Sequence, residues 1–511
     1  MPEAEPSRPP DAPAGAGPTA LARRRGLRFV LLAHPTVQGL RFLSKLVLAW
    51  FLTSEDLGEA VFASLFALVA AQLAIFGLDE ALVQAPRLDA QRWRLLRRWS
   101  ARAGLLAASG LAVVGLVVHL LFAGLGDHPL LGTLLFVLAP MVWIANRSVL
   151  PAALLVRAGD YKSVFLLDLA QVLALTVGTW IPAALGLGPF SLIFGWYANA
   201  IAAVVLAERA ARRHVPPDHD EPELDPVAST TLRRFARALC LASLSSFGVE
   251  RLDGLAVGAR LGRAALGAYE LAQQLSTAAL GYASNLVERL VFPVLADEER
   301  ERNLAGAWRE ALRIVLVFLL PLHVLLALVG EGLVDAAFPA RWAPAGALVP
   351  WLALGAGARV LDLVASAALK AGGRGRAVSW LGAARLAFLP TAVGVGLQGG
   401  LLDVARCVCA ARVLSAFAST AAALARFGTA PDAAGRRTAR AGGAFAVFAA
   451  WSALACVVAF LARGALAPIA YVAVVVAAGA AAWLLLRLVA DRAEVARELA
   501  WLRTRATEAR G

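Results

Sequence analysis

Lysine is almost missing from this sequence. Only Lys45, Lys162 and Lys370 occur, while arginine is abundant. Such a bias reads as gene composition, so Arg in place of Lys carries little chemical meaning at any one position. Cysteine is scarce as well. Cys240, Cys407, Cys409 and Cys456 all fall in or beside apolar segments. With no histidine cluster beside them they are a poor metal site and read as small buried hydrophobes. No Walker A loop and no enzyme signature occurs, which argues against ATP hydrolysis in this chain and against catalysis; neither a cofactor nor a metal is expected.

What the sequence has is apolar length. Of its 511 residues 59% are hydrophobic and the mean hydropathy is +0.68, against about 45–50% apolar in soluble proteins. Runs of about 20 apolar residues recur about 14 times, each able to cross about 30 Å of hydrocarbon. Only helices or closed barrels satisfy their backbone there. The expectation is an all-α polytopic membrane protein. The net charge of +13 then reads as cationic loops against anionic headgroups, with membrane lipids as partners and no nucleic acid, because no recognition motif accompanies the charge.

Loops after even-numbered spans hold Arg87, Arg92, Arg94, Arg97 and Arg98, then Arg157 and Lys162, Arg209, Arg212 and Arg213, and later Lys370 and Arg374. Loops after odd-numbered spans are short and nearly free of basic residues, with Arg260, Arg263, Arg341 and Arg463 as exceptions. This asymmetry puts both termini in the cytoplasm. The organisation expected is a disordered arm over 1–28, a lobe of six spans over 29–207 and a Pro- and acid-rich linker over 208–235. A second six-span lobe over 236–425, a helix pair over 426–489 and a cytoplasmic tail over 490–511 complete it.

The two lobes carry an internal duplication. Shifting residues 41–74 by 209 positions lays Leu57 on Leu266, Gly58 on Gly267, Ala63 on Ala272 and Ala74 on Ala283 without gaps. Because six spans separate the copies, both lobes enter from one side and are related by a parallel pseudo-two-fold axis, with a path between them.

Charges inside spans are costly and mark cavities or pairs. Arg41 and Lys45 share a helix face at i, i+4 and suit an anionic ligand such as phosphate; the competing reading pairs them with acids elsewhere. Glu250, Arg251 and Asp253 are the counterpart in the second lobe. Asp253 or Glu250 is a candidate for coupling to an ion, or for a structural ion pair. Arg359 is carried as a further cavity cation, although Arg359 with Asp362, like Asp403 with Arg406, has the spacing of an intrahelical pair. His323 reads as a packing residue.

Several segments together resemble the polysaccharide (O-antigen-type) flippases of the multidrug/oligosaccharidyl-lipid/polysaccharide exporter superfamily. LAWFLTSEDLGEAVFA is similar to that family's A-R-x-L-x-x-x-D-x-G turn, with Trp50 where Arg is usual. DGLAVGARLGRAALGAYELA resembles D-x-x-x-x-G-x-x-L-G-x-x-x-L-G-x-Y-x-x-A. FGLDEALVQ, PAALLVRAGDYKSVFLLDLAQ and FPARWAPAGALVPWLAL match further stretches in order. The resemblance implies two six-helix lobes around an alternately open cavity, with two extra C-terminal helices. It also implies an undecaprenyl-pyrophosphate-linked oligosaccharide turned across a bacterial inner membrane for O-antigen or lipopolysaccharide-type surface glycan. On it, Arg41, Lys45, Arg251 and Arg359 hold the headgroup. A monovalent cation or proton, and other polysaccharide assembly proteins, are open partners. The alternatives are an ion-coupled multidrug or small-molecule exporter of the same superfamily, and a non-transporting scaffold in a glycan assembly complex.

Overall fold

The computed structural model describes residues 37, 39–75, 77–84, 88–122, 127–215, 251–286, 304–427, 436–462 and 466–490. Among these the regular structure is helical. The helices are α1 (39–51), α2 (Ser54–Ile75), the short α3 (Leu78–Gln84), α4 (Ala90–Phe122), α5 (Leu131–Ala158), α6 (Tyr161–Ala184) and α7 (Phe190–Ala211). They continue as α8 (251–261), α9 (Arg263–Leu286), α10 (Leu304–Ala337), α11 (Ala343–Ala371), α12 (Gly375–Gly399), α13 (Leu401–Phe427), α14 (Arg436–Ala462) and α15 (Pro468–Ala490). Among the described residues nine helices are long and apolar enough to cross a membrane. The chain is a multi-pass membrane protein. Its outward faces are correspondingly greasy: Leu105, Leu106, Leu120 and Leu121 of α4 and Phe460 of α14 are exposed, as expected where the surrounding solvent is lipid.

Two packed groups form, with a helix pair attached. In the first, α4 lies on α5, α6 on α7, and α2 bridges α4 and α5. In the second, α11 is central, embraced by α9, α10 and α13, with α12 on the outside of α13. α14 and α15 pack on each other and against α10. Small residues allow the close approaches within a lobe. A Cβ on Gly132 would meet the His119 backbone across the α4–α5 contact, and one on Gly178 would meet Ala198 across α6–α7.

Some boundaries differ from the sequence expectation. Hydropathy starts the third span near residue 99, whereas α4 begins at Ala90, so Arg92, Arg94, Arg97 and Arg98 are helical rather than in a loop. Long guanidinium stems explain this: they let a helix continue through the interface while the charge stays wet. Arg97 and Arg147 both reach Glu208, at 3.4 and 3.2 Å, tying α4 and α5 to the end of α7. Gly77, with φ of 67°, ends the second span early and starts α3. α10 contains a π turn over Val315–Leu319 just before Pro321, a local unwinding that accommodates a ring inside a helix.

Asp160 starts α6. Its carboxylate accepts hydrogen bonds from the Ser163 backbone and hydroxyl and stands 3.2 Å from His214 Nε2. Burial alone would raise its pKa, but the bonds from Ser163 and His214 outweigh this and hold it below the ordinary value. The stability from this cap is therefore full above the usual carboxyl range and fades as pH falls through the lowered value. Asp160→Ala is expected to cost about 1 kcal/mol at neutral pH, with a smaller difference in acid, read from thermal unfolding in detergent.

Candidate functional site

One end of the molecule is closed, and the repeated glycines close it. α2 crosses α9, the main contact between the lobes. At the crossing a Cβ on Gly58 would run into the Arg263 carbonyl, and a Cβ on Gly267 into the Ser54 carbonyl. Ser54 and Arg263 are themselves related by the 209-residue shift, so the two contacts are mirror images and the pseudo-two-fold axis passes between these helices. Only residues without a side chain permit this approach.

Four further links surround the crossing. Arg263 bridges to Glu55 at 2.9 Å, and its backbone N–H donates to Asp127. Gly262, between α8 and α9, has φ of 86° and lies against the same Asp127 carboxylate. Trp342 Nε1 donates to the Ala49 carbonyl at 2.7 Å and Arg341 to the Trp50 carbonyl at 2.6 Å, so the second lobe caps the exposed carbonyls ending α1. Arg263 and Arg341 are two of the four basic residues that break the loop-charge asymmetry, and their work in this seal accounts for them. The fourth link leaves little trace in the sequence. Glu59, 1% exposed, has one oxygen 2.9 Å from His128 Nδ1 while the other accepts from the Leu130 N–H. His128 Nε2 is 3.0 Å from the Gly258 carbonyl, and its ring stacks on Phe62. A carbonyl can only accept, so Nε2 is the donor in that contact. An acid two positions into an apolar run and a histidine in a short loop are the only signals that could have found it.

Below this seal lie the charged residues. At 1.5 Å per residue, Lys45 is about 9 Å and Arg41 about 15 Å from the end of α1; Arg251 is about 15 Å down α8 and Glu270 about 10 Å down α9. They lie within about 6 Å of one another in depth, about 9–15 Å below the seal. Lys45 feels Glu270, Arg251 and Arg41 as its charged neighbours. Lys45 is exposed, with these three charges the ones that act on it. Arg251 stands 3.9 Å from Glu270, and the Nε of Arg41 is buried without an acceptor. The structure thus brings Arg41, Lys45 and Arg251 together. Among the described residues these three cations face one carboxylate, Glu270. Glu250 lies outside the described residues.

Asp253 takes another direction. It is 1% exposed and accepts from the hydroxyl of fully buried Tyr269 at 2.8 Å, with Arg412 at 3.7 Å. The Asp253–Tyr269 bond joins the first and seventeenth positions of the DGLAVGARLGRAALGAYELA stretch across the α8–α9 turn. Tyr269→Phe leaves the buried carboxylate one donor short and is expected to cost about 1–3 kcal/mol, seen as a lowered melting temperature in detergent.

Arg359 lines a different cavity, between α11, α12 and α13, whose walls include none of Arg41, Lys45 or Arg251. Asp362 there makes a close ion pair with Arg385 of α12 at 2.7 Å, across helices. Asp403 and Arg406 do pair along one helix, at 2.9 Å. His323 is buried, 2.8 Å from the Leu319 carbonyl, in the packing role expected of it. No group of three or more His, Cys, Asp or Glu suited to a metal ion occurs among the described residues.

Solved structures share this arrangement. The fold is similar to that of the lipid II flippase MurJ in an inward closed conformation, with a TM-score of 0.71 at 12% identity over 90% of this chain and 97% of that one. It is also similar to an inward-facing multidrug resistance MATE family transporter of the MOP superfamily (TM-score 0.58, 16% identity, 77% of this chain and 96% of that one). A third similar structure is a MOP superfamily transporter from Pyrococcus furiosus, described as having a binding pocket of reverse polarity that suggests a different function (TM-score 0.54, 17% identity, 81% and 99%). At these identities the likeness shows the fold: two lobes, with the multi-pass architecture of that superfamily. No curated protein matches. Residues 47–347, more than half of the chain, match the family model described as polysaccharide biosynthesis protein, and the chain belongs to that family.

Proposed function

We propose that this protein is a flippase that moves an undecaprenyl-pyrophosphate-linked oligosaccharide across a bacterial cytoplasmic membrane by alternating access, for cell-surface polysaccharide synthesis. The observation that carries this is the meeting of Arg41, Lys45 and Arg251 below the seal between the lobes, with a buried Arg41 nitrogen that has no acceptor. A doubly charged pyrophosphate is the kind of group such a site suits, because charge-assisted hydrogen bonds to it strengthen where water is scarce. The sugars would occupy the wet space between the lobes while the prenyl chain stays in lipid. Membership of a polysaccharide biosynthesis family and a fold shared with a lipid II flippase support a lipid-linked cargo.

In this reading the closed end faces outward and the arginine-rich ends of α4, α5 and α7, with both termini, face the cytoplasm. The cargo would then enter from the side where it is made. Coupling falls to Glu250 or Asp253. Asp253 already has Tyr269 and Arg412 as partners, so a proton, which would release Arg412, suits it better than a metal cation that must displace a guanidinium.

The test is the leaflet distribution of lipid-linked oligosaccharide in cells depleted of the protein. Accumulation on the cytoplasmic leaflet, reversed by the intact gene, is expected. An unchanged distribution with normal surface glycan removes the flippase reading and leaves the exporter or the scaffold. The exporter is separated by Glu270→Gln: a site for anions keeps its cargo when this acid is neutralised, whereas a site for cationic drugs loses it.

A further inference from the structure

We propose a second binding site, for the phosphate head of a lipid, in the cavity between α11, α12 and α13. α12 packs along α13 but scarcely touches α11, and the gap holds a cavity of about 500 Å³. The Arg385–Asp362 pair spans it. Arg359, Arg385 and Arg412 all line the space, with Asp362 the one lining carboxylate among the described residues and Asp253 behind Arg412. Two of these guanidiniums are incompletely used. Arg385 gives one amino group to Asp362 and, at 3.4 Å, to Ser366, while its Nε is buried with no acceptor. Arg412 is approached by Asp253 at 3.7 Å, beyond hydrogen-bonding length, and its Nη1 is buried with no acceptor. Buried donors without acceptors are rare in folded proteins. The three guanidiniums that line the space attract an anion placed in it and repel a cation.

The rest of the wall selects an amphiphile over a free ion. It is largely apolar, with Leu386 and Leu414 among the lining residues and α12 otherwise exposed along the span. Arg412, Arg385 and Arg359 lie about 17, 21 and 24 Å from the closed end along their helices. That places the guanidiniums in the half of the bilayer away from the seal, with apolar side chains beside them for an acyl or prenyl chain. The inference goes beyond the central site and stands whether or not that site carries a glycolipid. Two sources share the chemistry: a glycerophospholipid of the bilayer and a polyprenyl phosphate.

Native mass spectrometry of the full-length protein in detergent tests it, with phosphatidylglycerol, phosphatidylcholine of the same chains, a polyprenyl monophosphate and inorganic phosphate as probes. Phosphatidylglycerol, polyprenyl phosphate or both are expected to bind about tenfold or more tightly than phosphatidylcholine. Which of the two binds assigns the source. The preference is expected to vanish in Arg412→Gln and in Leu386→Trp. The second variant fills the cavity without touching a charge, so it remains decisive if the first fails to fold. Equal retention of all lipids, displacement of lipid by inorganic phosphate at equal concentration, or anionic-lipid binding unchanged in Leu386→Trp overturns the proposal.

Discussion

Gly58→Val and Gly267→Val are each expected to abolish transport while the protein still inserts and folds. At both positions the first side-chain carbon already collides with backbone of the opposite lobe, at the Arg263 and Ser54 carbonyls, and backbone cannot rotate away as a side chain can. The helices must part. Overpacking of this kind costs about 1–3 kcal/mol. Here the cost falls on one conformation, the one in which α2 and α9 touch, and not on packing within either lobe. A transporter that cannot close one end cannot keep its two entrances alternate. Spin labels on the exposed residues Thr53 and Ala264 report the separation directly. Wild type gives a short distance, and either valine variant a longer one. An unchanged distance together with normal transport would show that the glycine crossing is not the gate.

The double change Arg41→Gln with Lys45→Gln is expected to reduce flipping by at least about 100-fold. Each cation makes at most one or two charge-assisted contacts with an anionic head, worth about 1.5–3 kcal/mol apiece. Losing two removes at least about 3 kcal/mol, and every 1.4 kcal/mol is tenfold. Each single change gives an intermediate loss. Folding is not expected to suffer, because Arg41, Lys45 and Arg251 repel one another and, among the described residues, Glu270 alone offsets them. Expression and melting temperature therefore stay level or rise. A double variant that melts earlier and transports normally places these residues among structural ion pairs.

How legible each feature is depends on the physical signal it leaves. Helices long enough for a bilayer announce themselves by apolar length alone, and α5 and α11 fall where their runs do. The glycine crossing is legible as a pattern, Gly58 on Gly267, but its meaning is not. A 209-residue repeat says that two positions are equivalent, not that they touch on the symmetry axis. Arg41 and Lys45 are legible because a cation in a span is costly. Their association with Arg251 follows from the same repeat, which puts α1 and α8 in equivalent places. Glu59 and His128 are not legible. They are 69 positions apart, and each alone looks like a polar residue near a span end. Sequence groups Arg359 with the central cations because it gives depth and not azimuth. Its helix turns it toward Arg385 and Arg412 instead. The start of α4 is misplaced by hydropathy because arginine counts against a span on any such scale, although its aliphatic stem tolerates one.

The most direct measurement is flipping in proteoliposomes reconstituted with the purified protein and an undecaprenyl-pyrophosphate-linked oligosaccharide, its leaflet read by a membrane-impermeant sugar-modifying reagent. Wild type is expected to expose the inner pool, Gly267→Val and the Arg41/Lys45 double variant are expected not to, and Glu270→Gln still does. Equal exposure by wild type and the Arg41/Lys45 variant, or none by wild type with this class of cargo, would contradict a flippase built on a cationic site between the lobes.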